Sequence, residues 1–209
     1  MSARPTGLVA FDLDGTLLRG PTVCELLATA IGREGEARAF EAATTQSEVA
    51  AGRASMAGWY RDVPRPALLS ALASARWAPG VVPAMERLRR HGIEVAIASL
   101  TWRFAVSWFA ERLGVRWYLG TDLRDDGAVA HVWPEDKGRW LKGLASELSV
   151  PAERVAAVGD SSGDVALLGA ASLRVFVGAA LPAGLAGARH CPHEDVDVIA
   201  ERIVTAWTA

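Results

Sequence analysis

Four short apolar runs, each ending at a polar or glycine-bearing turn, constrain this chain more than any other feature. GLVAF (7–11) stops at Asp12-Leu13-Asp14-Gly15-Thr16, and IEVAIAS (93–99), RVAAVGD (154–160) and LRVFVG (173–178) follow. Continuous apolar runs of this length are what strands buried on both faces look like. The segments between them have helical character: VVPAMERLRRHG, WRFAVSWFAERLG and EDKGRWLKGLASEL, with Gly92 and Gly114 as candidate C-caps. That alternation implies βαβ units and an α/β fold with a parallel sheet, helices on both faces, and Asp12 at the C-terminal end of the first strand.

From Arg19 to Trp77 no strand-like alternation occurs, and the Ala-, Glu- and Arg-rich stretch reads as several short helices inserted after the first strand. The expected division is therefore an α/β core from residues 1–18 and 78–209 with a small helical unit at 19–77. A length of 209 residues suits one domain carrying a substantial insertion. Residues 115–132 carry aromatic and β-branched residues around Asp126-Gly127, which predicts a short hairpin.

Composition removes several function classes. Twenty-two basic against 24 acidic side chains leave a net charge of −2, so no global positive field exists for nucleic acid or an anionic membrane. No apolar run approaches the roughly 20 residues of a spanning helix, and the N-terminal residues lack a signal-peptide core, so a cytoplasmic protein is expected. Cys24 and Cys191 lie far apart and read as reduced, buried thiols. His190-Cys191-Pro192-His193 lacks the further partners of a soft-metal site and reads as a loop after a last short strand.

Chemistry concentrates at the turns. Asp12 and Asp14 leave one strand end together, and crowded carboxylates need a cation or a shared proton, which suits a magnesium site with oxygen ligands; a plain Asp-x-Asp-Gly turn is the bland alternative. Gly159-Asp160-Ser161-Ser162-Gly163-Asp164 brings two more carboxylates to a strand end, or else is a solvated loop with a helix cap. Ser99, the adjoining backbone at Leu100, and Thr101 suit phosphate oxygens, or cap a helix. Lys137 offers a compact positive charge to the same rim, or is a surface lysine.

Taken jointly, Asp12, Asp14, Ser99, Lys137, Asp160 and Asp164 resemble the four-motif signature of the haloacid dehalogenase superfamily, and their order and spacing are most similar to its phosphoserine phosphatase branch. The resemblance implies a Rossmann-like core with a helical cap after strand one. It implies Asp12 as nucleophile, forming an aspartyl phosphate, and Asp14 as acid and base. Magnesium would rest on Asp12, the backbone carbonyl of Asp14 and Asp160, with Asp164 in support, while Ser99, Leu100 and Lys137 hold phosphoryl oxygens. Dehalogenases similar to this core lack an acid equivalent to Asp14, so dehalogenation is not expected.

The resemblance has gaps in the cap. Where phosphoserine phosphatases carry a substrate-binding glutamate this chain has Pro21, and the nearest acid is Glu25. Arg53 or Arg61 could match a cap arginine, and Trp59 and Trp102 could line an apolar wall. The expected partner is a small phosphorylated metabolite, bound by a monomer or homodimer. Phosphotransfer to another alcohol, and a receiver-like or catalytically silent binding role, remain as alternative readings.

Overall fold

A computed structural model describes residues 4–124 and 126–208. The chain runs β1 (Gly7–Phe11), α1 (Val23–Ala30), α2 (Glu34–Glu41), α3 (Gln46–Tyr60), α4 (Arg65–Ala71), α5 (Val81–Arg90), β2 (Ile93–Trp102), α6 (Arg103–Leu113), β3 (Trp117–Leu123) and β4 (Val129–Ala130). It continues through α7 (Pro134–Glu147), β5 (Val155–Gly159), α8 (Val165–Gly169), β6 (Leu173–Phe176), β7 (Arg189–His190) and α9 (Val196–Thr208). One seven-stranded sheet results, in the order β4-β3-β2-β1-β5-β6-β7. Its neighbours are parallel except β3 and β4, which pair antiparallel through the hairpin expected around Asp126-Gly127. The sheet is thus mixed at one edge rather than parallel throughout.

The period of two in β1 explains why its sequence is apolar at every position. Val9 and Phe11 enter a cluster with Met85 of α5, Phe109 of α6 and Ile203 of α9, while Leu8 and Ala10 face Leu141 of α7 and Leu167 of α8. Phe109 is fully buried and meets Trp77 edge to face at 5.4 Å, so truncating it to alanine would cost on the order of 3–5 kcal/mol.

β1 lies at the centre of the order, with the chain crossing first to β2 on one side and later to β5 on the other. Their C-terminal ends therefore open a crevice at a topological switch point, where α/β folds bind ligands.

Helices α1 to α4 occupy the region expected to be helical. Thr22 and Thr45 start α1 and α3 with reciprocal capping boxes to Glu25 and Glu48. Buried Leu27, Met56, Leu68 and Leu72 join the same apolar cluster as Val9 and Phe11. The segment leaves and returns at a neck: Arg19 N–H donates to the Arg76 carbonyl and Ala78 N–H to the Leu17 carbonyl, both at 2.8 Å, around an antiparallel Leu18–Trp77 bridge.

β2 runs beyond the apolar run at 93–99, because Leu100, Thr101 and Trp102 stay extended. Its register with β3 is Ala98 to Leu119 and then Trp102 to Thr121, an irregularity that frees Ser99–Thr101 from regular pairing. Ser99 and Thr101 thus sit inside a bulged strand end and not on the first turn of α6. Among the described residues no helix is long and apolar enough to cross a membrane.

Candidate active site

Asp12 leaves β1 with its N–H still bonded to the Val158 carbonyl of β5 at 2.9 Å, so the sheet itself aims its side chain into the crevice. The chain then turns sharply, with Gly15 at φ 81°. A Cβ on Gly15 would lie 2.1 Å from Asp160 Oδ2, so glycine is required both by the backbone angle and by the carboxylate pressed against it. Thr16 Oγ1 donates to Asp160 Oδ1 at 3.2 Å and ties this turn to the loop after β5.

Lys137, on the first turn of α7, is not a surface lysine: it is 1% exposed. Its Nζ donates to Asp12 Oδ1 at 2.6 Å and also to Asp164 Oδ1. Burial works against the ammonium charge, but the two carboxylates outweigh it and hold the lysine above its ordinary value. Asp164 is fully buried, and its other oxygen accepts from the N–H groups of Asp160 and Ser161 and from Ser161 Oγ. It organises the loop while Asp160 projects from it.

One ligand atom from each of Asp12, Asp160 and Asp164 lies within 4.8 Å of the others. Three carboxylates share one ammonium there, and burial, with the Asp164 charge, pushes the Asp12 carboxyl well above its usual range; Asp160 is raised for the same two reasons. An all-oxygen donor set with surplus negative charge fits a hard divalent cation. Asp12 and Asp160 are the free donors, since both oxygens of Asp164 are engaged. The Asp14 side chain stands apart from this group. Its Oδ1 accepts from Val23 N–H at 2.9 Å, and burial first, then Glu41 and Asp160, raise its carboxyl to about 7.

Ser99 is 2% exposed, and its Oγ accepts from Thr101 N–H at 3.2 Å. It lines, with Asp12, Asp14, Lys137 and Asp160, one end of a cleft of about 430 Å³. Leu100, Arg53 and Trp102 also line the cleft, as the sequence suggested. Asp164, fully buried beneath the loop, and three candidate substrate contacts lie outside that lining. The Glu25 carboxylate accepts from Thr22 N–H at 2.7 Å in its capping box and borders a smaller depression with Pro21 and Arg38. Arg61 is exposed at the end of α3, and Trp59 packs against the core with Arg33 above its ring. The capping and packing contacts hold Glu25 and Trp59 where they are.

Thr22, Phe40 and Glu41 line the cleft without having been singled out from sequence. Thr22-Val23-Cys24-Glu25 is a legible helix start, but nothing in the spacing connects Phe40 or Glu41 of α2 to the strand-end motifs. Thr22 Oγ1 donates to Glu41 Oε1 at 3.0 Å at the cleft mouth. Cys24 is buried, lines the cleft and touches Met56 Sδ at 3.7 Å; burial pushes its thiol up to about 12, which makes it an apolar wall rather than a nucleophile. At the other end of the sheet, His190 belongs to β7, its Nε2 2.8 Å from the Gly178 carbonyl.

The family model for haloacid dehalogenase-like hydrolases matches residues 9–169, well over half of the chain. The chain belongs to that family. Within it, the chain is 28% identical over 185 residues to phosphoserine phosphatase SerB2 of Mycobacterium tuberculosis, and 28% identical over 188 residues to a phosphoserine phosphatase of Streptomyces coelicolor; each match covers 82% of this chain. It spans only 44% of the length of either relative. A structure described as a phospho-aspartyl intermediate analogue of phosphoserine phosphatase superposes with a TM-score of 0.79 at 22% identity, covering 95% of this chain and 99% of that one. At that identity the likeness speaks for the fold, and it bears out a Rossmann-like α/β architecture for this haloacid dehalogenase-like hydrolase.

Proposed function

We propose that the chain is a magnesium-dependent phosphomonoesterase that cleaves a small phosphorylated metabolite through an aspartyl phosphate on Asp12. The observation that carries this reading is the placement of two carboxylates two residues apart, Asp12 paired with buried Lys137 and Asp14 held separately by Val23 N–H, in one cleft. Magnesium held by Asp12, the Asp14 carbonyl and Asp160, with Asp164 fixing the loop, would neutralise phosphoryl charge.

The residues divide the work by environment. With Lys137 and a bound cation offsetting the burial that raises its carboxyl, ionised Asp12 attacks phosphorus through one oxygen as the bond to the leaving alkoxide breaks. Asp14, with its carboxyl near neutrality, gives its proton to that alkoxide. In the second half, water attacks the phosphorus, Asp14 takes its proton, and the bond to Asp12 breaks with release of phosphate. Ser99 Oγ, the backbone around Leu100 and Lys137 Nζ hold the phosphoryl oxygens throughout.

Residues 19–77 form the cap in this reading, set on the core of 1–18 and 78–209, and their helices close the cleft over the strand ends. The leaving group would lie against Phe40, Met56 and Trp102 with Thr22 and Glu41 at the mouth. Glu25 is committed to a helix cap, which favours a substrate other than phosphoserine.

The test is phosphate release from a panel of phosphoserine, sugar phosphates, nucleotides and 4-nitrophenyl phosphate, with magnesium and with chelator. Magnesium-dependent release that disappears in Asp12→Asn supports the reading. Silence across the panel, or an Asp12→Asn variant that still turns over, overturns it.

A further inference from the structure

Arg53 is buried, and among the described residues its guanidinium has no carboxylate partner. From α3 its Nη2 donates to the Leu100 carbonyl at 2.7 Å and its Nη1 to the Val132 carbonyl at 3.1 Å, with His131 Nδ1 at 3.4 Å. The guanidinium also lies 5.1 Å from the centre of the Trp133 ring, whose other neighbour is the stacked His131 ring. Burying this charge has a desolvation cost that pulls the arginine down to about 10. A group kept at such cost needs a task, and the two carbonyls it grips identify one.

Leu100 sits where β2 loses its regular pairing with β3, between Ala98 and Trp102. The ladder that would otherwise pin this peptide is missing there. Two side chains replace it: Arg53 Nη2, and Thr121 Oγ1, which donates to the same carbonyl at 2.9 Å while accepting from Val132 N–H at 3.2 Å. Fixing the Leu100 carbonyl fixes the plane of the Leu100–Thr101 peptide. The Thr101 N–H of that plane donates to Ser99 Oγ, which leaves the serine hydrogen free for an acceptor in the cleft.

Building on the phosphomonoesterase reading, we propose that Arg53 is a positioning residue for the phosphoryl site, holding Leu100–Thr101 and through them the Ser99 hydroxyl, and not a reader of the leaving group. Its charge acts across three elements at once, joining α3 to the end of β2 and to the chain after β4. The cleft is then assembled only when α3 is seated on the strand ends, so substrate capture and phosphoryl alignment depend on one contact.

The experiment compares wild type with Arg53→Met, Arg53→Lys and Thr121→Val on 4-nitrophenyl phosphate, which has no leaving-group carboxylate, and on phosphoserine, which has one, with inorganic phosphate as competitive inhibitor. A positioning role predicts that Arg53→Met lowers kcat on both esters by a similar factor, about 10- to 100-fold, and weakens phosphate inhibition. Thr121→Val, whose side chain is fully buried and outside the cleft lining, shows a smaller change of the same pattern, and Arg53→Lys restores part of the loss.

A loss confined to phosphoserine, with aryl phosphate turnover and phosphate inhibition unchanged, overturns the proposal, as does an Arg53→Met enzyme indistinguishable from wild type. If Arg53→Met does not fold, an unchanged Thr121→Val enzyme overturns it. Wild type that hydrolyses neither ester defeats the hydrolase reading instead. Calorimetric binding of inorganic phosphate with magnesium then still decides the role of Arg53: weaker binding in the variant supports it, and equal binding removes it.

Discussion

Val23 N–H, the first free donor of α1, holds Asp14 Oδ1 at 2.9 Å. Helix N-termini leave such donors unpaired and favour negative charge, so this contact steadies a carboxylate that burial otherwise drives toward protonation. It also connects the helical segment directly to the group proposed to move the proton.

Asp14→Asn removes that proton transfer while leaving Asp12 in place. Hydrolysis of alkyl phosphates should fall about 10²–10⁴-fold. With 4-nitrophenyl phosphate, whose leaving group needs no proton, the first half survives better than the second. Rapid-quench or stopped-flow traces should therefore show a burst of nitrophenolate followed by slow turnover.

Lys137→Met leaves Asp12 and Asp164 buried without their counter-charge. Breaking a buried ion pair in this way costs roughly 3–5 kcal/mol. Thermal unfolding should show a clear fall in midpoint, and millimolar Mg²⁺ should recover part of it where Na⁺ does not. A variant as stable as wild type would mean that the lysine is dispensable to the carboxylate cluster.

Magnesium should raise the midpoint of the wild-type protein, because a ligand that binds only the folded state stabilises it by mass action. Asp160→Asn keeps the Thr16 contact sterically possible but removes one of the two free donors. The magnesium-dependent rise should shrink or vanish in this variant, measured across a titration of the metal.

Arg87 bonds Asp197 through Nε at 2.8 Å and Nη2 at 2.9 Å, joining α5 to α9. The arginine holds the Asp197 carboxyl below its unfolded value of 3.8. A depressed carboxyl contributes stability that is present above the unfolded pKa and is lost as pH falls through the folded one. Arg87→Ala should therefore unfold at a lower urea midpoint than wild type at pH 6.5, and the gap should close as pH falls below the unfolded value of 3.8.

What sequence could show here follows the distance over which each signal acts. β1, β2 and β5 were readable because burial on both faces leaves an unbroken apolar run, and Asp12, Asp160 and Lys137 stand at fixed places beside those elements. The far wall of the cleft was not readable in the same way. Arg53 and Arg61 lie on or next to the same helix, and only the packing of α3 buries the first and leaves the second in solvent. Glu41 reaches the cleft through the way α2 folds back toward Thr22, a tertiary contact with no local pattern. The extension of β2 was missed because hydroxyls after an apolar run are read as a helix cap, whereas Leu100, Thr101 and Trp102 have strand-forming character that the neighbouring β3 rewards.

At Leu17–Arg19 and Arg76–Ala78 the two ends of the helical insertion are clasped together by backbone hydrogen bonds. The main chain departs and returns within hydrogen-bonding distance, so the sheet registers no net displacement from whatever lies between. Helices can be lengthened, exchanged or reshaped there while Asp12 keeps its aim. Any such exchange has to keep two grips on the strand ends, Val23 N–H on Asp14 and the Arg53 guanidinium on the Leu100 carbonyl.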